Sequence, residues 1–244
     1  MRCQPDDRHK VYNWLKTKQT CLLCDEPADS ANSLCDSCES ELPWLGARCQ
    51  ICALPLPDAG LTCGGCLRRP PSFEQVEAPW RYAFPVDSLI TRFKHQAKWP
   101  LGRLLGGLLS QHLQHAFDEG LVRPDLLLPV PLAERRQRQR GFNQAALLGQ
   151  WLSEQLHLPV QQHWLQRVID TPAQQQLDAA TRKRNLRRAF TLAPASRIGG
   201  LHLALVDDVL TTGATAESLA RLLKQAGAAR VDIYCLARTP KPGD

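Results

Sequence analysis

Eight of the ten cysteines in this 244-residue chain form four Cys-x-x-Cys pairs: Cys21/Cys24, Cys35/Cys38, Cys49/Cys52 and Cys63/Cys66. The first cysteines of successive pairs lie 14 residues apart, and ten residues separate each pair from the next. Segments that short cannot bury a core of their own. A Cys-x-x-Cys turn presents two sulfurs to one tetrahedral ion, and two such turns complete a structural zinc site. The array predicts about two zinc ions per chain, with metal binding supplying much of the segment's folding free energy. Sequential pairing gives one site from 21/24/35/38 and another from 49/52/63/66; interleaved pairing satisfies the same spacing. A disulfide scaffold belongs to secreted chains, whereas Met1 to Lys10 is polar and lacks the apolar segment of a signal peptide. Redox pairs come singly beside a βαβ unit. Cys3 has no partner pair, and Cys235 reads as a buried small apolar residue.

The apolar fraction of 43% is that of a globular protein. No apolar stretch approaches the roughly 20 residues of a membrane helix, so no membrane span is expected and the expected compartment is the cytoplasm. The formal charge of +6 falls to about +2 once two four-thiolate zinc sites are counted. Overall basicity is thus a weak argument for nucleic acid. Two local clusters matter more: Arg135, Arg136, Arg138 and Arg140, and the run from Arg182 to Arg188 that includes Arg184. Such blocks hold anions or solvate a surface.

After Pro70-Pro71 the composition changes. Trp80 to Phe84 alternates and predicts a strand. Leucines at 101, 104, 105, 108, 109 and 113, continued by Phe117, predict a helix that Gly102, Gly106 and Gly107 weaken. Lys94, His95 and Lys98 fall in the connecting segment and read as surface. Leu126 to Val130 predicts a strand. Asn143 caps a helix running to about Leu156, with Phe142 and Leu147 placed to staple it. Val160 to Val168 contains a further strand. Residues 170–188 read as a long loop of the kind that is usually functional. Leu201–Val206 predicts a strand, Thr215–Ala226 a helix closed by Gly227, and Val231–Leu236 a last strand. Strands apolar on both faces, alternating with helices, imply a parallel sheet covered on both sides.

The most informative chemistry follows the Leu201 strand. A buried parallel strand delivers Asp207 and Asp208 to the carboxyl edge of the sheet, where open α/β folds bind ligands. Their oxygens can accept hydrogen bonds from vicinal ribose hydroxyls. Thr211-Thr212-Gly213-Ala214-Thr215 then leads into a helix. Its N–H groups, its threonine hydroxyls and the helix N-terminus make a phosphate cradle. Gly213 permits conformations and approaches that a Cβ blocks. A bland strand–turn–helix capped by Thr215 is the alternative, and the full run of apolar, acidic and Thr/Gly residues argues against it.

Leu203 to Thr215 resembles the phosphoribosyl pyrophosphate signature of type I phosphoribosyltransferases. The resemblance implies that Asp207 and Asp208 face the ribose hydroxyls and that Thr211 to Thr215 hold the 5-phosphate. It places Pro129, Val130 and Pro131 at the pyrophosphate loop and brings magnesium with the substrate. Arg140-Gly141-Phe142-Asn143-Gln144, Gln176-Leu177 with Arg182 and Asn185, and the four cysteine pairs resemble the ComF/GntX family, over roughly residues 21–240. The fold class so implied is α/β, a type I phosphoribosyltransferase-like twisted parallel sheet with a small N-terminal double zinc-ribbon module. The expected divisions are 1–70 for the zinc module, 71–125 for a connecting or hood segment, and 126–244 for the transferase-like domain.

The family resemblance implies a role in competence or in using external DNA. The implied partners are phosphoribosyl pyrophosphate, single-stranded DNA, and DNA-uptake or helicase proteins. An active phosphoribosyltransferase for a nucleobase or amine is the second reading, and a ligand-sensing regulator the third. The arginines after the pyrophosphate loop would hold pyrophosphate or track a strand, and Arg182 and Arg184 would act as lid cations. No acceptor and no general base is legible, and the six histidines from His95 to His202 read as structural or exposed.

Overall fold

A computed structural model describes residues 20–28, 33–168 and 189–241. The strands are β1 (Gln75–Glu77), β2 (Trp80–Arg81), β3 (Leu126–Pro129), β4 (Leu165–Arg167), β5 (Phe190–Leu192), β6 (His202–Leu210) and β7 (Arg230–Arg238). The helices are α1 (Asp36–Ser40), α2 (Gly64–Arg68), α3 (Val86–Gln96), α4 (Trp99–Asp118), α5 (Glu134–Arg140), α6 (Gln144–Leu156) and α7 (Ala214–Gln225). The chain divides into two compact units, Met1–Leu42 and Pro43–Asp244. The cluster of Cys21, Cys24, Cys35 and Cys38 lies in the first; the cluster of Cys49, Cys52, Cys63 and Cys66 lies in the second, with the sheet. No helix among the described residues is long and apolar enough to cross a membrane.

The main sheet runs β1-β7-β6-β3 with every pairing parallel, and β2 continues the β1 edge farther along β7. Parallel strands need both faces covered, and the side chains alternate accordingly. Leu203, Leu205, Val231 and Ile233 join the core cluster that includes Leu219, Ala220 and Leu223 of α7. Helices α4 and α6 pack on each other, and on β7 and β6 respectively. The α/β parallel sheet expected from the apolar strands is therefore present.

Differences from the sequence reading have local causes. The Trp80 strand stops at Arg81, and the chain turns through Phe84–Pro85 into α3, which the sequence reading leaves as a connecting segment. The strand expected within Val160–Val168 is β4, which pairs antiparallel with β5 off the main sheet, while Val160 makes a lone parallel bridge to Leu127. Residues 134–140 are helical, ended by Gly141 at φ 78°. The predicted loop at 170–188, with Arg182 and Arg184, lies outside the described residues.

Two of the glycines that weaken the α4 prediction, Gly102 and Gly106, are where aromatic rings pack against it. A Cβ on Gly102 would meet the Phe93 ring at 2.5 Å, and one on Gly106 would meet Trp151 at 3.0 Å. Phe93 cannot swing away easily, since its ring lies 5.6 Å from Phe142 and 5.9 Å from Trp151. Gly102→Ala is accordingly expected to cost about 1–3 kcal/mol through overpacking, despite alanine's better helix propensity. A denaturation midpoint at or above the parent's would show that the ring repacks freely.

Candidate functional site

Strand β3 ends at Pro129, opposite Val206, while β6 continues to Leu210. This overhang carries Asp207 and Asp208. With no β3 residue beside them, local side chains take up backbone donors: Asp208 N–H donates to Asp207 Oδ1 at 2.9 Å, and Val209 N–H to Asp208 Oδ1 at 2.7 Å. Asp208 is buried and Asp207 partly so. Lys94 of α3 places its Nζ 2.8 Å from Asp208 Oδ2. Burial, then the neighbouring Asp208 carboxylate, pushes the Asp207 carboxyl up to about 8.

The loop after β6 leaves Thr211 and Thr212 exposed. Gly213 is the N-cap of α7 at φ 74°, a left-handed conformation natural to glycine. A Cβ there would meet nothing within 4 Å. The glycine thus serves the turn and leaves open space above the first amides of α7. Thr215 lies within the helix, not at its cap.

The Pro129-Val130-Pro131 segment is fixed from α6. Asn143 caps that helix by accepting from Ala145 N–H at 3.0 Å and donates through Nδ2 to the Val130 carbonyl at 3.0 Å. Gly149 allows the approach, since a Cβ would fall 2.9 Å from Pro129 Cγ. Phe142 stacks on Trp99 at 5.0 Å and on Phe93. Helix α5 sorts its arginines. Arg138 pairs with Glu134 at 2.7 Å on an exposed face. Arg140 is partly buried and donates to Gln144 Oε1 at 2.9 Å. Burial holds its guanidinium below its usual pKa; the Asp208 charge opposes that and Arg136 reinforces it. Lys94, His95, Arg136 and Arg140 line a cavity of about 310 Å³ with Gln139 and Phe142. The structure therefore brings Arg136 and Arg140 together with Lys94, and turns Arg138 to an exposed ion pair.

In each cysteine cluster the four sulfurs lie within 4.8 Å of one another. Cys24–Cys35 and Cys52–Cys63 sulfur distances are 3.6 and 3.7 Å. Tetrahedral zinc with Zn–S bonds near 2.3 Å requires about 3.8 Å. The residues fit zinc, and the pairing is sequential. The two ribbons share local geometry: Asp25 and Ala53, each following a Cys-x-x-Cys turn, both have positive φ (64° and 54°). Cys63 N–H points to Cys49 Sγ at 3.3 Å and Leu23 N–H to Cys21 Sγ at 3.5 Å, contacts that favour thiolate. Cys235 is fully buried, and burial pushes its thiol pKa up.

A double zinc ribbon domain matches residues 13–67. The DNA utilization protein YhgH of Escherichia coli K12 is 38% identical over 225 residues, covering 90% of each chain. Competence protein F of Haemophilus influenzae is 36% identical over 212 residues, covering 85% of this chain and 91% of that one. This chain belongs to the ComF/GntX family. Among solved structures, adenine phosphoribosyltransferase of Saccharomyces cerevisiae is similar at 18% identity with a TM-score of 0.38, covering 59% of this chain and 72% of that one.

Two residues of this ComF/GntX chain escape sequence reading. Lys94 reads as surface there, yet it sits on Asp208; its placement by helix α3 is the missing signal. Arg238, at the end of β7, is buried. Its Nε donates to the Cys52 carbonyl at 2.9 Å, and its Nη1 donates to the carbonyls of Leu210, at 3.1 Å, and Thr211. It joins the second cysteine cluster to the Thr211–Gly213 loop. Lys94→Met, which strands a buried carboxylate, is expected to destabilise the fold by about 1–3 kcal/mol. An unchanged unfolding midpoint would mean that water screens the pair.

Proposed function

We propose that this protein seats a sugar phosphate at the overhang of β6, either phosphoribosyl pyrophosphate or the sugar-phosphate of single-stranded DNA, and acts in the cytoplasm in the uptake or use of external DNA. One observation carries the reading: the Asp207–Asp208 pair stands where β6 outruns β3, with an open glycine loop after it and a cation-lined cavity reaching Lys94. Sugar hydroxyls donate to the Asp208 carboxylate and exchange hydrogen bonds with the Asp207 carboxyl. A 5-phosphate takes the amides of Gly213, Ala214 and Thr215 and the N-terminal end of α7, helped by Thr211 and Thr212 hydroxyls. Lys94, Arg136 and Arg140 offset the charge of a second phosphate group beside Pro129-Val130-Pro131. Names of the relatives, DNA utilization protein and competence protein, support the physiological half of the reading.

Magnesium fits this site as an ion brought by the substrate. Among the described residues the groups of three or more candidate metal ligands are the two cysteine clusters. The acidic pair supplies two carboxylates, which suits an ion completed by phosphate oxygens and water. When bound, it would neutralise charge on the diphosphate; the chain's own residues hold and orient the sugar.

Calorimetry of the zinc-loaded protein tests the reading, with phosphoribosyl pyrophosphate and magnesium in one series and a short single-stranded DNA in another. Saturable binding of the sugar diphosphate is expected. Steady pyrophosphate release with a nucleobase or amine would add catalysis. Binding of neither ligand would overturn the proposal.

A further inference from the structure

The loop that receives the 5-phosphate has a second face. Leu210, Thr211, Thr212 and Gly213 also wall a cavity of about 460 Å³, bounded by the second zinc ribbon, by Arg69, Pro70, Pro71 and Phe73 and by Arg238 to Lys241. This volume is within the range of small-molecule pockets, about 300–1,000 Å³. Leu54 and Phe73, both nearly fully buried, give it an apolar floor with Pro70 and Pro71. Its acid, Glu217, is already engaged: it accepts from Ser72 N–H at 2.7 Å and pairs with Arg221. Arg69 and Lys241 are exposed cations on the wall.

Phosphoribosyl pyrophosphate does not use this cavity, because its 5-phosphate is a terminal group that ends on the loop. A nucleotide in a strand is different. Its 5′ phosphate is a diester, so one ester oxygen must leave the loop and carry the preceding nucleoside away from the acidic pair. The cavity shares Thr211, Thr212 and Gly213 with the loop, and so lies beside a phosphate held there. The acidic pair adds a second constraint. An internal nucleotide would have to bury a bulky, charged 3′ phosphate against the largely buried acidic pair, while a terminal nucleotide brings a small 3′ hydroxyl, which donates to the Asp208 carboxylate.

We propose that the site takes the 3′-terminal dinucleotide of single-stranded DNA: the last sugar's 3′ hydroxyl on Asp207 and Asp208, its 5′ phosphate on Thr211–Thr215, and the penultimate base in the cavity beneath the second zinc ribbon. This rests on the reading of the loop as a phosphate site. The penultimate base gains apolar contact with Phe73 and the prolines, and Arg69 and Lys241 meet the next phosphate.

The test is calorimetry on the zinc-loaded full chain with four ligands: phosphoribosyl pyrophosphate with magnesium, the methyl ester of thymidine 5′-phosphate, the dinucleotide dTpdT, and dTpdT bearing a 3′ phosphate. The methyl ester has the same diester charge as dTpdT and lacks the preceding nucleoside. The dinucleotide is expected to bind about tenfold more tightly than the methyl ester, from the stacking of one base. A 3′ phosphate should remove at least that gain. Gly65→Trp plugs the cavity from a position whose Cβ would meet nothing closer than Cys63 Sγ at 3.7 Å. It should abolish the dinucleotide's advantage while keeping two zinc ions and the affinity for phosphoribosyl pyrophosphate. Equal affinities for methyl ester and dinucleotide, tolerance of the 3′ phosphate, or an advantage that survives Gly65→Trp would each overturn the proposal. Failure of every ligand would instead overturn the phosphate-site reading beneath it.

Discussion

Cys49→Ser is expected to lower the zinc content from about two ions per chain to about one, and to weaken sugar-phosphate binding by roughly tenfold or more. The second effect is the informative one, since Cys49 lies in the ribbon and not on the loop. Cys49 is almost fully buried and shares its cluster with Cys52, Cys63 and Cys66. Structural zinc contributes about 10–16 kcal/mol to such small modules, so a ribbon without it loses its shape. The Cys52 carbonyl would then cease to hold Arg238, which binds the carbonyls of Leu210 and Thr211 at the start of the phosphate loop. Arg238→Met separates the two steps. It should keep both zinc ions and still lose binding, because it removes charged hydrogen bonds worth about 1.5–3 kcal/mol each. Zinc loss from Cys49→Ser with unchanged affinity would show the ribbon and the loop to be independent.

Sequence carried the metal ligands and the sheet further than it carried the charges around the acidic pair. Regular spacing marks the cysteines because one ion demands four sulfurs at fixed distances, and local turns supply them. The β6–loop–α7 run is legible for a similar reason, being continuous in sequence. The helix from Asn143 was legible in its cap as well as its span. Lys94 was not legible. It reaches Asp208 across 114 positions of sequence, placed by a helix that follows a cis-proline turn and has a modest apolar face of Val86, Leu89, Ile90 and Phe93. Arg238 was hidden at the end of an apolar strand, where a lone cation resembles a strand terminus. Among the arginines after Pro131, composition gave a block, but only the helical period of α5 separates Arg138 from Arg136 and Arg140. Strand β5 is three residues long and, among the described residues, pairs only with β4, so neither length nor alternation announced it.

Asp207→Asn with Asp208→Asn should abolish detectable binding of phosphoribosyl pyrophosphate, a loss of about 100-fold or more if the Asp208 carboxylate makes a charge-assisted hydrogen bond to a sugar hydroxyl and the Asp207 carboxyl a second hydrogen bond. The fold should persist, because the pair stands at the overhang and most of the core is elsewhere. Stability of the single variant Asp207→Asn separates a binding role from a structural one. Burial and Asp208 push the Asp207 carboxyl from its ordinary 3.8 up to about 8. The folded chain therefore keeps a proton that the unfolded chain releases between about pH 4 and pH 8, and the slope of stability with pH is negative across that window. An asparagine has no proton to lose. Asp207→Asn should unfold at nearly the parent's midpoint near pH 4 and progressively above it as pH rises towards 8, with a gain of up to about 5 kcal/mol at the top of the window. A stabilised protein that no longer binds is what a carboxylate retained for ligand predicts. A variant that is destabilised at every pH would place Asp207 in the framework instead.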